Sequence, residues 1–256
     1  MPRAAGVIPL LLATACVEGG DGEGTATPDT RAAATQSEPA TLETGERSSA
    51  PLDASEAEDP VVVVFMGTSL TAGLGLTRDA DRFTDLIGAM ADSAGMPVEV
   101  VNAGVSGDTS AGGLRRLGWV LEEPLDVLVV ELGANDGLRG LDPEALESNL
   151  REIARRTRER YPDARLVLAA MEAPSNLGPS YTERFRSLYP RVAAEVGATL
   201  LPFLLEGVAG EPDLNQPDRI HPNREGHRII ARDVVWPGLE PVLRAAAADR
   251  PPSGRP

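Results

Sequence analysis

Val61-Val-Val-Val-Phe-Met66 runs directly into Gly67-Thr-Ser-Leu-Thr-Ala-Gly73. The first six residues are apolar without alternation, the pattern of a strand covered on both faces rather than one with a wet side. Glycines then bracket a short polar segment. The chain turns sharply there and leaves a serine, Ser69, just past the strand end with its backbone N–H free. Taken alone, such a serine is more often a helix N-cap than a nucleophile. A doubly covered strand does require helical layers above and below it.

The sequence downstream supplies them. Four more apolar runs of strand length follow: Val98-Glu-Val-Val101, Val127-Leu-Val-Val-Glu-Leu132, Leu166-Val-Leu-Ala-Ala170 and Thr199-Leu-Leu-Pro202. Between them, Arg82 to Ala94 places Phe83, Leu86, Ile87 and Met90 at three- and four-residue steps. Pro143 to Arg160 opens with Asp142 as N-cap and Pro143 at the first helical position. Thr182 to Val196 and Asn223 to Leu243 complete the helical set. Five strands alternating with helices predict one α/β domain with a mostly parallel sheet in three α/β/α layers, spanning residues 60–246. No internal repeat is visible.

The rest of the 256 residues reads differently. Met1 to Cys16 carries one charge, Arg3, then an uncharged apolar stretch ending in small residues, the make-up of an export signal. Ala13-Thr-Ala-Cys16 resembles the lipobox of bacterial lipoproteins, with Ala13 where Leu is usual; the resemblance implies a lipid anchor on Cys16. Residues 17–59 hold 11 acidic and two basic residues and no aromatic. That composition buries too little apolar surface to offset the entropy of ordering, and predicts a disordered acidic tether. Residues 247–256 read as a disordered tail.

Most of the net charge of −15 falls in the tether, and all 24 basic residues are Arg. The balance argues against a nucleic-acid partner, which needs a basic face to displace phosphate counterions. No uncharged apolar run approaches the roughly 20 residues of a bilayer span, so any membrane association rests on the anchor. One Cys and two His leave little room for a metal site. Oligomeric state is not legible.

In open parallel sheets, ligands bind beyond the carboxyl ends of the strands. Four exits carry unusual residues. Ser69 follows the first strand. Asn102-Ala-Gly-Val-Ser-Gly-Asp-Thr-Ser110 follows the second, with Gly107 able to bring backbone amides close to a ligand. Gly133-Ala-Asn-Asp-Gly137 follows the third and offers the side-chain amide of Asn135. Asp218-Arg-Ile-His221 precedes the last helix, a spacing that lets a carboxylate hold one imidazole nitrogen while the other faces the cleft. Each is weak alone. Together they supply a hydroxyl nucleophile, a base to take its proton, an anion to orient the base, and donors for an oxyanion. If the first three strands are neighbours, about 4.8 Å apart, these groups converge.

Those four blocks, Gly67-Thr-Ser-Leu, Gly107 in Val-Ser-Gly-Asp-Thr-Ser, Gly133-Ala-Asn-Asp and Asp218-x-x-His221, resemble in order the blocks of the SGNH (GDSL) hydrolases. Val105 to Ser110, Glu131 to Gly140 and Ile220-His-Pro-Asn look most like the bacterial thioesterase I, lysophospholipase L1 and arylesterase branch. The resemblance covers about Val62 to Leu243. It implies a flavodoxin-like sheet in order 2-1-3-4-5. It also implies Ser69 as nucleophile, His221 as base and acid, and Asp218 as its orienter, with Ser69 N–H, Gly107 N–H and Asn135 Nδ2 as the oxyanion hole. Leu177 and Tyr181, after the fourth strand, are implied as walls of the acyl pocket.

One residue departs from the family pattern: Thr68 stands where the family usually has Asp. A threonine hydroxyl accepts a loop N–H but brings no charge. The expected activity is therefore hydrolysis of a small-molecule carboxylic ester or thioester through an acyl-enzyme, with no metal or organic cofactor. The alternatives are a carbohydrate O-acetyl esterase and a non-catalytic tethered binding lipoprotein on the same scaffold. His227, six residues past His221, reads as a satisfied surface or half-buried side chain. Arg151 to Arg160 reads as a solvated face.

Overall fold

The computed structural model describes residues 59–250. The export segment with Cys16, all of the tether but Asp59, and residues 251–256 of the tail lie outside the described residues.

Five parallel strands form one sheet in the order β2-β1-β3-β4-β5. They are β1 Val61–Gly67, β2 Val98–Gly104, β3 Val127–Val130, β4 Arg165–Ala170 and β5 Thr199–Phe203. This is the expected fold class and order. The unbroken apolar run of β1 lies between β2 and β3, with Val63, Phe65 and Met66 essentially inaccessible to water. All four residues of β3 are likewise buried. The edge strand β2 alternates half-buried and exposed positions over most of its length, which explains why its sequence run is broken by Glu99. Register places Gly67 opposite Gly104, so the exits of β1 and β2 leave the sheet side by side.

Helices α3 Ser110–Val120, α5 Pro143–Arg160 and α6 Pro179–Val196 pack together on one face. Helix α2 Phe83–Ser93 packs on the other with α7 Arg224–Ile229, a π-helical turn Ile230–Val235 and α8 Trp236–Ala248. Two short helices, α1 Ser69–Ala72 and α4 Ala134–Leu138, sit at the exits of β1 and β3. Residues recurring at helical spacing on α5 are buried: apolar Leu146, Leu150, Ile153 and Ala154, and Thr157, whose hydroxyl donates to the Ile153 carbonyl at 2.8 Å.

Three elements depart from the sequence expectation. The single helix expected from Asn223 to Leu243 is divided. Pro237 and Pro241 lack N–H donors, and the π-helical widening at Ile230–Val235 absorbs the resulting mismatch in the ladder. The helix ends at Ala248, past the expected domain limit at 246: Ala245 to Ala248 are strong helix formers. Beyond it, Arg250 pairs with Asp126, whose carboxylate also accepts the Val62 N–H at 2.7 Å, so the start of the tail is tied to the first strand. Helix α3 has no counterpart in the sequence reading. Its three glycines lower helix propensity, but at Gly113 a Cβ would lie 2.5 Å from Leu132 Cδ1, so close packing on the sheet requires the glycine.

Candidate active site

Thr68 caps α1, its hydroxyl accepting the Leu70 N–H at 3.4 Å, and Gly73 in a left-handed conformation ends the helix after one turn. Ser69 is the first helical residue. Its Oγ lies 2.9 Å from Nε2 of His221. Nδ1 of His221 lies 2.6 Å from Asp218 Oδ2. The other carboxylate oxygen of Asp218 accepts the N–H groups of Ile220 at 2.9 Å and His221 at 3.0 Å, which locks the Asp-Arg-Ile-His turn. The turn requires Arg219 at φ 61°, the one non-glycine residue with positive φ among the described residues. The hydrogen bond from the His221 ring, then those two amides, hold the Asp218 carboxyl down at about 2. Ser69, His221 and Asp218 thus form a continuous hydrogen-bonded relay across 152 positions of sequence.

All three expected oxyanion donors keep a free N–H among the described residues. The N–H groups of Ser69 and Gly107 have no partner among the described residues. Asn135 Nδ2 gives one hydrogen to the Asp108 carbonyl at 2.9 Å and keeps the other. That bond ties Asn135 to the residue after Gly107, whose φ of 82° only glycine adopts without strain.

Two buried carboxylates bind the exits to one another. Neither had a role in the sequence reading. Asp136 accepts the Ser110 N–H at 2.8 Å and the Ser110 hydroxyl at 2.6 Å, joining the β2 exit to the β3 exit. Glu131, directly after β3, reaches under α1. It accepts the Thr68 N–H at 2.7 Å, the Thr71 hydroxyl at 2.8 Å and the Thr71 N–H at 3.3 Å, and the Thr68 hydroxyl lies 3.0 Å from its Oε1. Burial raises the Glu131 carboxyl above its ordinary range, against the pull of these donors. The carboxyl group that Thr68 lacks is therefore supplied from beneath it, by the segment that follows β3. The available signal was an acid interrupting an otherwise apolar run, Val-Leu-Val-Val-Glu-Leu.

A cavity of about 470 Å³ opens beside Ser69, Asn135 and His221. Its apolar wall includes Leu138, Met171, Ala173, Pro174, Phe203 and Leu205. Leu177 and Tyr181 lie outside that lining, contrary to the expectation for them. Tyr181 stacks on Phe185 and turns its hydroxyl to the Leu141 carbonyl at 2.5 Å, and Leu177 packs near Gly140. The segment leaving β4 meets the cavity with its first residues, Met171 to Pro174, and has turned away by Ser175. His227 is fully buried rather than at the surface. It accepts the Phe83 N–H at 3.1 Å on Nδ1, stacks on the Phe83 ring, and is pushed down to about 4 by burial.

Residues 65–229 match the family model described as the GDSL-like Lipase/Acylhydrolase family. The chain belongs to that family. It is 42 % identical over 182 residues to Esterase TesA of Pseudomonas aeruginosa, an alignment covering 71 % of this chain and 89 % of the relative. It is 39 % identical over 183 residues to the thioesterase 1/protease 1/lysophospholipase L1 of Escherichia coli, covering 71 % and 84 %. Among solved structures, that of TesA superposes with a TM-score of 0.67 at 40 % identity, covering 71 % of this chain and 99 % of that one. As a member of an acylhydrolase family this similar to a named esterase, the chain is a carboxylic ester hydrolase.

Proposed function

We propose that the protein hydrolyses small-molecule carboxylic esters or thioesters through a covalent acyl-enzyme on Ser69. The observation that carries the reading is the 2.9 Å contact between Ser69 Oγ and His221 Nε2, with Asp218 2.6 Å behind the ring. Ser69 Oγ attacks the substrate carbonyl carbon as its proton passes to Nε2 of His221. The imidazolium is held by Asp218, which is ionised throughout the working range. The oxyanion formed on the carbonyl oxygen meets the N–H groups of Ser69 and Gly107 and the free hydrogen of Asn135 Nδ2. Collapse breaks the bond to the leaving oxygen or sulfur, which takes the proton from His221. Water then repeats the sequence on the acyl-enzyme, releasing the carboxylic acid and restoring the serine hydroxyl. The acyl group occupies the apolar wall formed by Met171, Ala173, Pro174 and Phe203.

Replacing Ser69 by Ala tests this. Hydrolysis of p-nitrophenyl butyrate falls to background with the fold intact, and covalent labelling by a fluorophosphonate disappears. Substantial turnover remaining in that variant rejects the reading. A panel of p-nitrophenyl esters of increasing chain length on the wild-type protein then measures the depth of the acyl site.

Export and lipidation at Cys16 belong to the same proposal, supported by the charge and apolar pattern of Met1 to Cys16. Mass spectrometry of the mature N-terminus, or accumulation of precursor under globomycin, decides between a lipidated cysteine and simple cleavage.

A further inference from the structure

Among the amides of residues 68–72, only that of Ser69 is unpaired among the described residues. Thr68 and Thr71 donate to Glu131, Leu70 donates to the Thr68 hydroxyl, and Ala72 donates to the Thr68 carbonyl at 3.0 Å. Every neighbour of the Ser69 N–H is turned inward, and two of the four are drawn there by one carboxylate. The fit is tight: a Cβ on Gly67 would lie 2.0 Å from Thr71 Oγ1 and 2.6 Å from Glu131 Oε2. Glu131 itself belongs to the backbone of the β3 exit, its N–H bonded to the Met66 carbonyl at 2.8 Å, four residues before Asn135. One side chain therefore fixes the donor on the first exit relative to the donor on the third.

We propose that Glu131 is a positioning residue for catalysis, holding the Thr68–Thr71 turn so that the Ser69 N–H faces the developing oxyanion. It touches no substrate and acts through the two threonines. This rests on the acyl-enzyme reading above. Hydrogen-bond acceptance at Oε2, rather than charge at the reacting atoms, is what the role requires. A glutamine can supply it, with its oxygen toward the two amides and its Nε2 toward the Thr68 hydroxyl.

The test compares Glu131→Leu and Glu131→Gln for kcat, KM and inhibition by a trifluoromethyl ketone, whose hemiketal oxygen mimics the oxyanion. Glu131→Leu lowers kcat about a hundredfold, the scale of losing one oxyanion donor, with KM changed less than about threefold. Affinity for the ketone falls by the same factor as kcat/KM. Glu131→Gln restores most of both. The proposal is overturned by wild-type kcat in Glu131→Leu, by lost kcat with unchanged ketone affinity, or by a glutamine variant as inactive as the leucine one. If Glu131→Leu does not fold, Thr71→Val removes one hydrogen bond to Oε2, and a kcat reduced severalfold with matching loss of ketone affinity supports the role; unchanged kcat overturns it. Ser69→Ala is the control: if that variant turns over, the acyl-enzyme reading itself fails, whereas an inactive Ser69→Ala beside a fully active Glu131→Leu removes only the role of Glu131.

Discussion

Asp136 accepts both the N–H and the hydroxyl of Ser110, at 2.8 and 2.6 Å, in a site closed to water. Ser110 is the first residue of α3 and Asp136 lies one residue after Asn135, so this pair sets how far Gly107 stands from Asn135. Asn149 adds a third bond, donating to the Ser110 hydroxyl at 2.8 Å. Asp136→Ala leaves two buried donors unpaired, at a cost of about 1–3 kcal/mol each. Stability to urea drops accordingly, and kcat/KM falls about tenfold to a hundredfold as the two donors drift apart. Adding Ser110→Ala should produce little further loss in kcat/KM, because both changes cut the same link. Additive losses would show that the pair does not act as a unit.

Asp218 is held at about 2, chiefly by the hydrogen bond from the His221 ring, so it is an anion near neutral pH. His221 takes the serine proton on Nε2, and the anion behind Nδ1 steadies the imidazolium that results. Asp218→Asn removes the anion behind the ring, and kcat should fall about a thousandfold or more, the scale seen when a triad carboxylate is neutralised elsewhere. A wild-type pH–rate profile showing two separate acid inflections above pH 3, with one absent in Asp218→Asn, would contradict the ionised state assigned to this carboxylate.

The layers were legible in the sequence because β1 and β3 are buried on both faces and so contain almost nothing but apolar residues. The Ser69, Asp218 and His221 arrangement was legible because each residue sits at a strand exit or a turn with a recognisable local pattern. Glu131 was not, since its partners lie 60 and 63 positions away and nothing local to Val-Leu-Val-Val-Glu-Leu announces them. Helix α3 was hidden by its glycines, of which Gly113 serves close packing on Leu132 and Met66 rather than flexibility. The pocket walls were misplaced at Leu177 and Tyr181 because a wall is set by where a loop turns back, which depends on tertiary packing and not on composition.

His227 illustrates how burial links stability to pH without any part in catalysis. Its ordinary value of 6.5 is lowered to about 4 in the folded protein, chiefly by desolvation and then by the nearby Arg82 charge. The folded state therefore resists protonation that the unfolded chain accepts. The stabilising contribution is fully present above about pH 6.5 and is lost as pH falls toward 4, up to about 3 kcal/mol in all. Urea unfolding at pH 7, 5.5 and 4.5 should show this decline. His227→Gln, which keeps an acceptor for the Phe83 N–H, should start less stable at pH 7 but lose less between 7 and 4.5. Parallel declines in the two proteins would assign the acid sensitivity to other groups.

Gly107 and Gly133 both adopt positive φ, at 82° and 119°, but they should fail differently when replaced by Ala. A Cβ on Gly133 would sit 2.0 Å from the hydroxyl of Tyr189, which is buried and donates to the Leu132 carbonyl at 2.9 Å. Nothing there can yield without breaking the core, so Gly133→Ala should be recovered in poor yield or not at all. At Gly107 the nearest atom to a new Cβ is 3.9 Å away, on Arg139, and the only penalty is the left-handed backbone, about 1–2 kcal/mol. That strain is relieved by rotating toward negative φ, which carries the Gly107 N–H away from the oxyanion. Gly107→Ala should therefore fold, lose modest stability, and show kcat reduced about tenfold to a hundredfold with KM nearly unchanged. A variant with wild-type kcat would mean that the Gly107 amide is not one of the donors the transition state uses.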